Sequence, residues 1–232
     1  MNQGPRICRT IGMTLALAAL LTACESVQFQ SPPSWPVAAC DIDLVGDWRV
    51  QDLQNPESGE GEQYLRVSSD CAHWHTISLE KDENGQLKAD VDDIEDDMAL
   101  GIAHSDQQSY IVALEHPKKK AESDPASTPT GYVLIAYEFV EDALILRQID
   151  PKTTAHQIIG GAIPGWVDKH DRNPDGSRRA YGSEFSVFVF GSSEEIRATL
   201  EQHDLRGPPW MSLRRVDAAT SKRIDEWMKP AP

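Results

Sequence analysis

The sequence is poor in basic residues. Its 22 lysines and arginines stand against 37 aspartates and glutamates, so that the formal net charge at pH 7 is −15. A protein that binds the phosphate backbone of a nucleic acid needs the opposite balance, because much of its affinity comes from lysine and arginine contacts. The composition therefore predicts a chain that does not bind nucleic acid.

Catalytic motifs are also absent. The sequence contains no Gly-x-Ser-x-Gly elbow, no His-Glu-x-x-His pair and no glycine-rich phosphate loop, which are the signatures of three large groups of enzymes. His104, Ser105 and Asp106 are consecutive, and consecutive residues cannot adopt the geometry of a catalytic triad. We therefore predict that the protein is not an enzyme and carries no cofactor.

Long apolar runs are missing too. Arg6 and Arg9 precede the longest run, Ile11–Leu21, which is well short of the roughly twenty apolar residues that a membrane-spanning helix needs. A basic segment followed by a short apolar segment is typical of a secretory signal peptide. The sequence thus predicts that residues 1–23 are a signal peptide that is removed on export.

This segment ends in Leu21-Thr22-Ala23-Cys24, which resembles the lipobox of bacterial lipoproteins. The resemblance implies that the signal is cut before Cys24, that this cysteine receives a diacylglycerol thioether and that the new N-terminus is then acylated. Such chains hold a protein on a membrane, since each buried methylene contributes about 0.8 kcal/mol. In these lipoproteins an aspartate directly after the cysteine tends to retain the protein at the inner membrane. Glu25 occupies that position, so the resemblance favours the outer membrane, with the domain facing the periplasm or the cell surface.

Cysteine is rare, with four residues in the chain. Cys8 would leave with the signal and Cys24 would carry the lipid, which leaves Cys40 and Cys71 as an even pair outside the cytoplasm. The predicted outcome is a disulfide between them. A nucleophile built from Cys71 and His73 would need a free thiol, which that disulfide would remove.

The remaining chain divides into a short leader and one domain. Residues 24–39 contain three prolines and little periodicity, and we predict a lipidated tether that could extend roughly 50 Å. Order is expected to begin near Cys40, so that residues 40–232 form a single β-rich domain. On its first strand, Trp48 and Val50 alternate with polar residues and are expected to point inward.

The domain is predicted to be mainly β, a single antiparallel β-barrel or meander with a few appended helices. Helices are expected from Pro151 to Ile159, after a capping box at Ser192–Glu195, and from Ala218 to Met228. The predicted strands are Leu44–Gln51, Gln63–Ser68, Cys71–Leu79, Gln86–Val91, Met98–His104, Ser109–Glu115, Gly131–Val140, Ala143–Ile149, Gly165–Asp168, Glu184–Phe190 and Met211–Val216.

Gly46-Asp47-Trp48 resembles the G-x-W motif of lipocalin-like (calycin) barrels. The resemblance implies that Trp48 closes one end of a barrel under an arginine from the far end of the sequence, for which Arg214 and Arg215 are the candidates. A guanidinium on an indole contributes about 0.5–2 kcal/mol. The later stretch with Asp150-Pro151 and the capping box looks like a group of uncharacterised bacterial lipoproteins, which implies no activity.

His73 and His75 are candidate metal ligands. They share one face of a predicted strand with Ile77 and Leu79, so the histidines are expected on the buried side. Imidazoles at positions i and i+2 lie about 6.6 Å apart along a strand and can share a zinc or copper ion. Since no third ligand is evident, packed and hydrogen-bonded histidines are the favoured interpretation.

Asp171, Asn173 and Asp175, followed by Gly176, reproduce the opening of a calcium-binding EF-hand loop. The twelfth position of that loop is Gly182, where a bidentate glutamate is required. The same residues form a strong turn signal, because proline fixes φ and glycine accepts positive φ. We favour the turn over the calcium site.

Two functions remain open for a lipid-anchored envelope protein. The leading hypothesis is a barrel that binds an apolar small molecule or an envelope component. The alternative is a structural or assembly accessory lipoprotein that acts through its surface on an envelope protein. A cavity of some hundreds of Å³ would favour the first hypothesis, and a filled interior would favour the second.

Replacing the predicted lipid attachment residue tests the anchor. Cys24→Ser should abolish lipidation and release the protein from membranes, because no other segment of the sequence is long and apolar enough to hold it. Membrane fractionation and intact-mass measurement report the two effects separately. Persistent detergent-dependent membrane association of the variant would contradict the anchor.

Overall fold

A computed structural model describes residues 27–34, 37–38, 40–54, 62–81, 85, 87–94, 98–104, 108–115, 131–170 and 184–229. Among these residues the chain forms thirteen strands, which belong to one mixed, mostly antiparallel sheet, and three helices. No helix in the described ranges is long and apolar enough to span a membrane. Cys24 and the lipobox lie outside the described residues.

The elements largely follow the predicted boundaries. The strands are β1 Val27–Phe29, β2 Val37–Ala38, β3 Gly46–Asp52, β4 Gln63–Val67, β5 Trp74–Lys81, β6 Leu87–Asp93, β7 Met98–His104, β8 Ser109–Glu115, β9 Tyr132–Val140, β10 Ala143–Ile149, β11 Gly165–His170, β12 Glu184–Val189 and β13 Arg206–Arg215. The helices are α1 Pro151–Ile159, α2 Ser193–Gln202 and α3 Ala218–Trp227.

The strands pair antiparallel in chain order from β3 to β6 and again from β7 to β10, and β13 pairs with both β10 and β3, so that the last strand lies beside the first strand of this meander. The sheet nevertheless does not close. Within the described residues β6 pairs with β5, and the free side of β7 is occupied by the two residues of β2. The predicted closed barrel is therefore wrong, while the predicted mainly β meander is confirmed. Asp90 and Asp93 on β6 are exposed, and exposed charges of this kind are typical of an edge strand.

The leader of the domain also differs from the prediction. Val27–Phe29, inside the predicted tether, forms a strand that runs parallel to β12 and places Phe29 opposite Tyr132 of β9. Val27 and Phe29 are buried. The ordered domain thus includes Val27 and does not begin at Cys40, because the apolar side chains of this short strand complete a hydrophobic core.

Both faces of the sheet are covered over part of its area. The inner faces of the meander enclose the main core, which includes Trp48, Trp74 and Trp210. A second core lies between the other face of β8 and β9, the strands β1 and β12, and the helices α1 and α2. A smaller third core forms where Ile224 of α3 packs against the outer face of β4 and β5.

Local capping explains where the helices begin. The Asp150 carboxylate accepts hydrogen bonds from the backbone N–H groups of Lys152 and Thr153. Ser192 and Glu195 form the predicted capping box. Ile196 of α2 is buried in the second core, as its spacing predicts. The three predicted helices are thus confirmed.

An ion-pair network attaches α3 to the sheet. Arg66 on β4 donates to both oxygens of Asp47 on β3 and to Asp225 on α3, over 2.5–2.8 Å, and Ser221 also donates to Asp47. Burial raises the pKa of Asp47, but the hydrogen bonds from Arg66 and Ser221 outweigh it, so that the pKa lies below its usual 3.8. The network therefore stabilises the fold above that pH and is lost as the pH falls through the lowered pKa.

The burial of β1 leads to a test of where the domain begins. Phe29→Ala should lower the free energy of unfolding by about 3–5 kcal/mol, the usual cost of emptying a buried aromatic site. Ser34→Ala, at an exposed position of the same segment, is the control and should change it by less than about 0.5 kcal/mol. Denaturant unfolding of the two variants measures both. If Phe29→Ala had the same free energy of unfolding as Ser34→Ala, residues 27–34 would act as a tether and not as part of the domain.

Candidate functional site

The interior of the meander is filled with side chains. Large aromatic and aliphatic residues from β3, β5, β10 and β13 meet there. The void that Val50, Leu65 and Met211 help to line measures about 20 Å³. A void of that size holds about one water molecule, whereas small-molecule pockets measure roughly 300–1,000 Å³. This void, among residues of the main core, is thus too small for a ligand.

Trp48 lies at one end of this interior. It is buried, and its Nε1–H donates to the Leu44 carbonyl oxygen over 2.8 Å. Gly46, two residues before it, has a φ of +124°, which favours glycine. A Cβ atom at Gly46 would also lie 2.6 Å from Nη1 of Arg215. The backbone conformation therefore requires the glycine of the G-x-W triplet, and a side chain there would displace the Arg215 guanidinium.

Of the two candidate arginines, Arg215 lies on Trp48. Its Cζ is 4.1 Å from the centroid of the indole. Nη2 donates to the Asp43 carbonyl oxygen over 2.7 Å and Nη1 donates to that of Val45. Arg214 points to the other side of β13, and its Nη1 donates to both carboxylate oxygens of Asp142.

The segment Cys40–Val45, which we call the end loop, is held by several contacts. A disulfide joins Cys40 to Cys71 in the turn between β4 and β5. The Asp41 carboxylate accepts a hydrogen bond from the Tyr137 hydroxyl of β9 over 2.7 Å. Together with Arg215, these contacts tie the loop to strands that are distant in the sequence.

A polar cluster surrounds Asp41. His104 Nδ1 lies 3.0 Å from Ser109 Oγ, and His104 Nε2 lies 3.7 Å from Asp41 Oδ2. Burial, followed by the hydrogen bond to Asp41, raises the pKa of Tyr137, so this phenol stays protonated. In a catalytic triad the serine bonds Nε2 and the aspartate bonds Nδ1. The cluster has the reverse order and does not indicate a hydrolase.

Sequence analysis missed this cluster, because it considered His104 only with its neighbours in the sequence. His104 and Ser109 face each other across the β7–β8 hairpin. The two predicted strands, which end at His104 and begin at Ser109, carried enough information to suggest that pair. Asp41 and Tyr137 are 96 positions apart, and no local pattern connects them.

The outer surface of this end is open and partly apolar. A depression of about 490 Å³ is lined by Trp48, Arg215, Phe139 and three acids, Asp43, Glu141 and Asp142. Ile42, Phe139 and Val140 are exposed large hydrophobic residues in or beside it. We call this surface the Trp48 end. It is the candidate functional site of the described structure.

The candidate metal ligands of β5 lie elsewhere. Trp74 points into the main core, while His73 is exposed and His75 is half-buried, so the expected burial of the histidines is wrong. Their face is the outer one, on which Ile77 and Leu79 are covered by α3 and therefore mimic a core-facing pattern.

Among the residues that the structure describes, no third ligand joins these histidines. Their rings stack with centroids 6.2 Å apart, and His75 Nδ1 lies 2.7 Å from Asp93 Oδ1. Among the described residues no three histidine, cysteine, aspartate or glutamate side chains are grouped so as to hold a metal ion. The candidate calcium ligands Asp171, Asn173 and Asp175 fall outside the described residues.

Comparison of the chain with known protein families, with curated proteins and with solved structures finds no match.

The stacking of Arg215 on Trp48 leads to a double-mutant test. Trp48→Ala should cost about 3–5 kcal/mol of stability, as for other buried aromatic residues. Arg215→Ala should cost less, and the two losses should be non-additive because each removes the same contact. Thermal unfolding of both single variants and the double variant measures the coupling.

Arg214→Ala is the matched control for this cycle. Because Arg214 pairs with Asp142 at the surface, its loss should cost less than about 1 kcal/mol and should add to that of Trp48→Ala. A Trp48→Ala protein as stable as the parent would remove the structural role that the G-x-W resemblance implies.

Proposed function

We propose that the protein is a lipid-anchored lipoprotein of the bacterial cell envelope that acts through its surface and not as an enzyme. The lipobox at Cys24 supports the anchor. The packed core carries the choice of mode, since Trp48, Trp74 and Trp210 occupy the inside of the meander and the void beside Leu65 and Met211 is about 20 Å³. A protein that binds apolar ligands inside a barrel needs a cavity more than ten times larger. The accessory function therefore fits better than the ligand-binding function.

The Trp48 end is the surface that we propose for contact with an envelope protein. It combines exposed aromatic and aliphatic side chains, Phe139, Val140 and Ile42, with carboxylates at Asp43 and Glu141. Interface centres are enriched in aromatic residues, and polar groups surround them. The end loop is fixed by the disulfide and by Arg215, so this surface is preorganised and loses little conformational entropy on binding.

Native mass spectrometry distinguishes the two modes. The mature domain with Cys24→Ser, purified from the periplasm without detergent, should show the mass of the polypeptide alone, because side chains pack the main core. A parallel sample that is reduced and alkylated shows how much of the measured mass depends on the Cys40–Cys71 disulfide. A co-purifying apolar molecule in stoichiometric amount would contradict the accessory function and restore the ligand-binding hypothesis.

Site-specific photocrosslinking in intact cells tests the contact surface. A benzophenone amino acid at Phe139 should give one discrete adduct with an envelope protein. Gln51, exposed on β3, is the control position and should give no such adduct. Phe139→Asp should weaken the same complex, because a charge in an apolar contact is costly to desolvate. Identical adducts from both positions would argue against the Trp48 end.

A further inference from the structure

The charged groups of the Trp48 end are unequally engaged. Three carboxylates and one guanidinium line its depression, those of Asp43, Glu141, Asp142 and Arg215. Asp142 pairs with Arg214 over 2.6 Å, and Arg215 donates to backbone carbonyl oxygens. Among the described residues no ion pair or hydrogen bond engages the carboxylate of Asp43 or Glu141. These two negative charges are therefore available to a partner.

Glu141 has a backbone conformation that favours glycine. It is the first of the two residues that connect β9 to β10, and its φ is +55°. Residues with a side chain seldom adopt positive φ, because the Cβ atom crowds the backbone. Glycine is the usual choice at such a hairpin position, but this chain has a carboxylate there. An uncommon conformation of this kind at a surface site points to a function of the side chain.

Apolar side chains lie beside these two charges. Phe139 is 45% exposed, and Ile42, next to Asp43, is 71% exposed. Two buried rings, Trp48 and Tyr137, support the ring of Phe139, each with its centroid 6.4 Å away. The exposed part of an aromatic ring attracts a guanidinium or ammonium group. A lysine or arginine of a partner can therefore contact Phe139 within the same depression that holds the carboxylates.

The charge of the chain favours a basic partner over two other occupants. A second copy would bring its own net charge of −15, and a two-fold interface would place carboxylates opposite carboxylates, because it uses the same patch on both copies. An anionic lipid surface would also repel Asp43 and Glu141. A protein segment that carries lysine or arginine is instead attracted and guided to this surface.

We propose that the partner of the Trp48 end is a segment of an envelope protein in which lysine or arginine accompanies apolar side chains. The proposal rests on the proposed function of this surface and adds the chemistry of the partner. The apolar side chains of the segment cover Phe139 and Ile42, and its basic side chains pair with Asp43 and Glu141. Such pairs lie at the rim of a contact, where charges govern the association rate and the choice of partner.

Photocrosslinking in intact cells, with the benzophenone amino acid at Ile42, tests the proposal. Asp43→Asn together with Glu141→Gln removes both charges and keeps the shape of the side chains. The yield of the adduct should fall about fivefold, because each exposed ion pair contributes little by itself and two are lost. Asp90→Asn with Glu226→Gln is the matched control at exposed positions of β6 and α3. It removes the same charge and should leave the yield within about twofold, since surface substitutions away from a contact have little effect.

Glu141→Gly separates binding from stability. Glycine adopts a φ of +55° more easily than glutamate does, so this variant should unfold at a temperature no lower than that of the parent. The yield of its adduct should nevertheless fall to that of Glu141→Gln, because both variants lack the carboxylate. Thermal unfolding of the purified domain and crosslinking in cells measure the two effects separately.

Mass spectrometry of the adduct locates the attached segment, which should contain lysine or arginine close to the attachment point. No adduct at Ile42 or at Phe139 would refute the proposed function and this proposal with it. An adduct whose yield is unchanged by Asp43→Asn with Glu141→Gln would keep the contact surface and overturn the basic partner. An adduct with a second copy of this chain would also overturn it.

Discussion

The guanidinium of Arg215 is the contact on which this end of the molecule depends. It covers the indole of Trp48 and donates to two carbonyl oxygens of the end loop. One side chain from the last strand thus fixes the first strand of the meander and the segment that precedes it. The backbone carbonyls that it binds would otherwise need water, and the indole would be exposed. The pairing of β13 with β3 makes this possible, since it brings Arg215 opposite Trp48.

A filled interior and an unclosed sheet are consistent with each other. The meander encloses a core that contains three tryptophan side chains, Trp48, Trp74 and Trp210. These large side chains account for the space between the strands without a ligand. Between β6 and β7 the sheet has a break, with β2 on the free side of β7 and acidic residues on β6. Charges on an edge strand protect it from pairing with another chain. Stability therefore comes from the packed core and not from a closed ring of backbone hydrogen bonds.

The Trp48 end combines apolar and charged side chains, which suits the role that we propose for it. The Trp48 end has carboxylates and arginines around its aromatic residues, as expected for recognition of a protein. In the second core β1 attaches Val27–Phe29 to the folded domain.

The sequence by itself determined the features that depend on neighbouring residues. Alternation located most strands, and Asp150 and the Ser192–Glu195 box located two helices, because periodicity and capping are local properties. Three features were decided by the tertiary structure. The strand β1 has too few residues for a periodic signal and is ordered by β12 and β9. The face of β5 that meets the main core was ambiguous, since α3 buries Ile77 and Leu79 on the other face. The remaining features depend on strands that are brought together from distant positions in the sequence. They are the stacking of Arg215 and not Arg214 on Trp48, the cluster around Asp41 and the break beside β6. Such contacts arise from the packing of the whole chain, and no window of the sequence contains both partners.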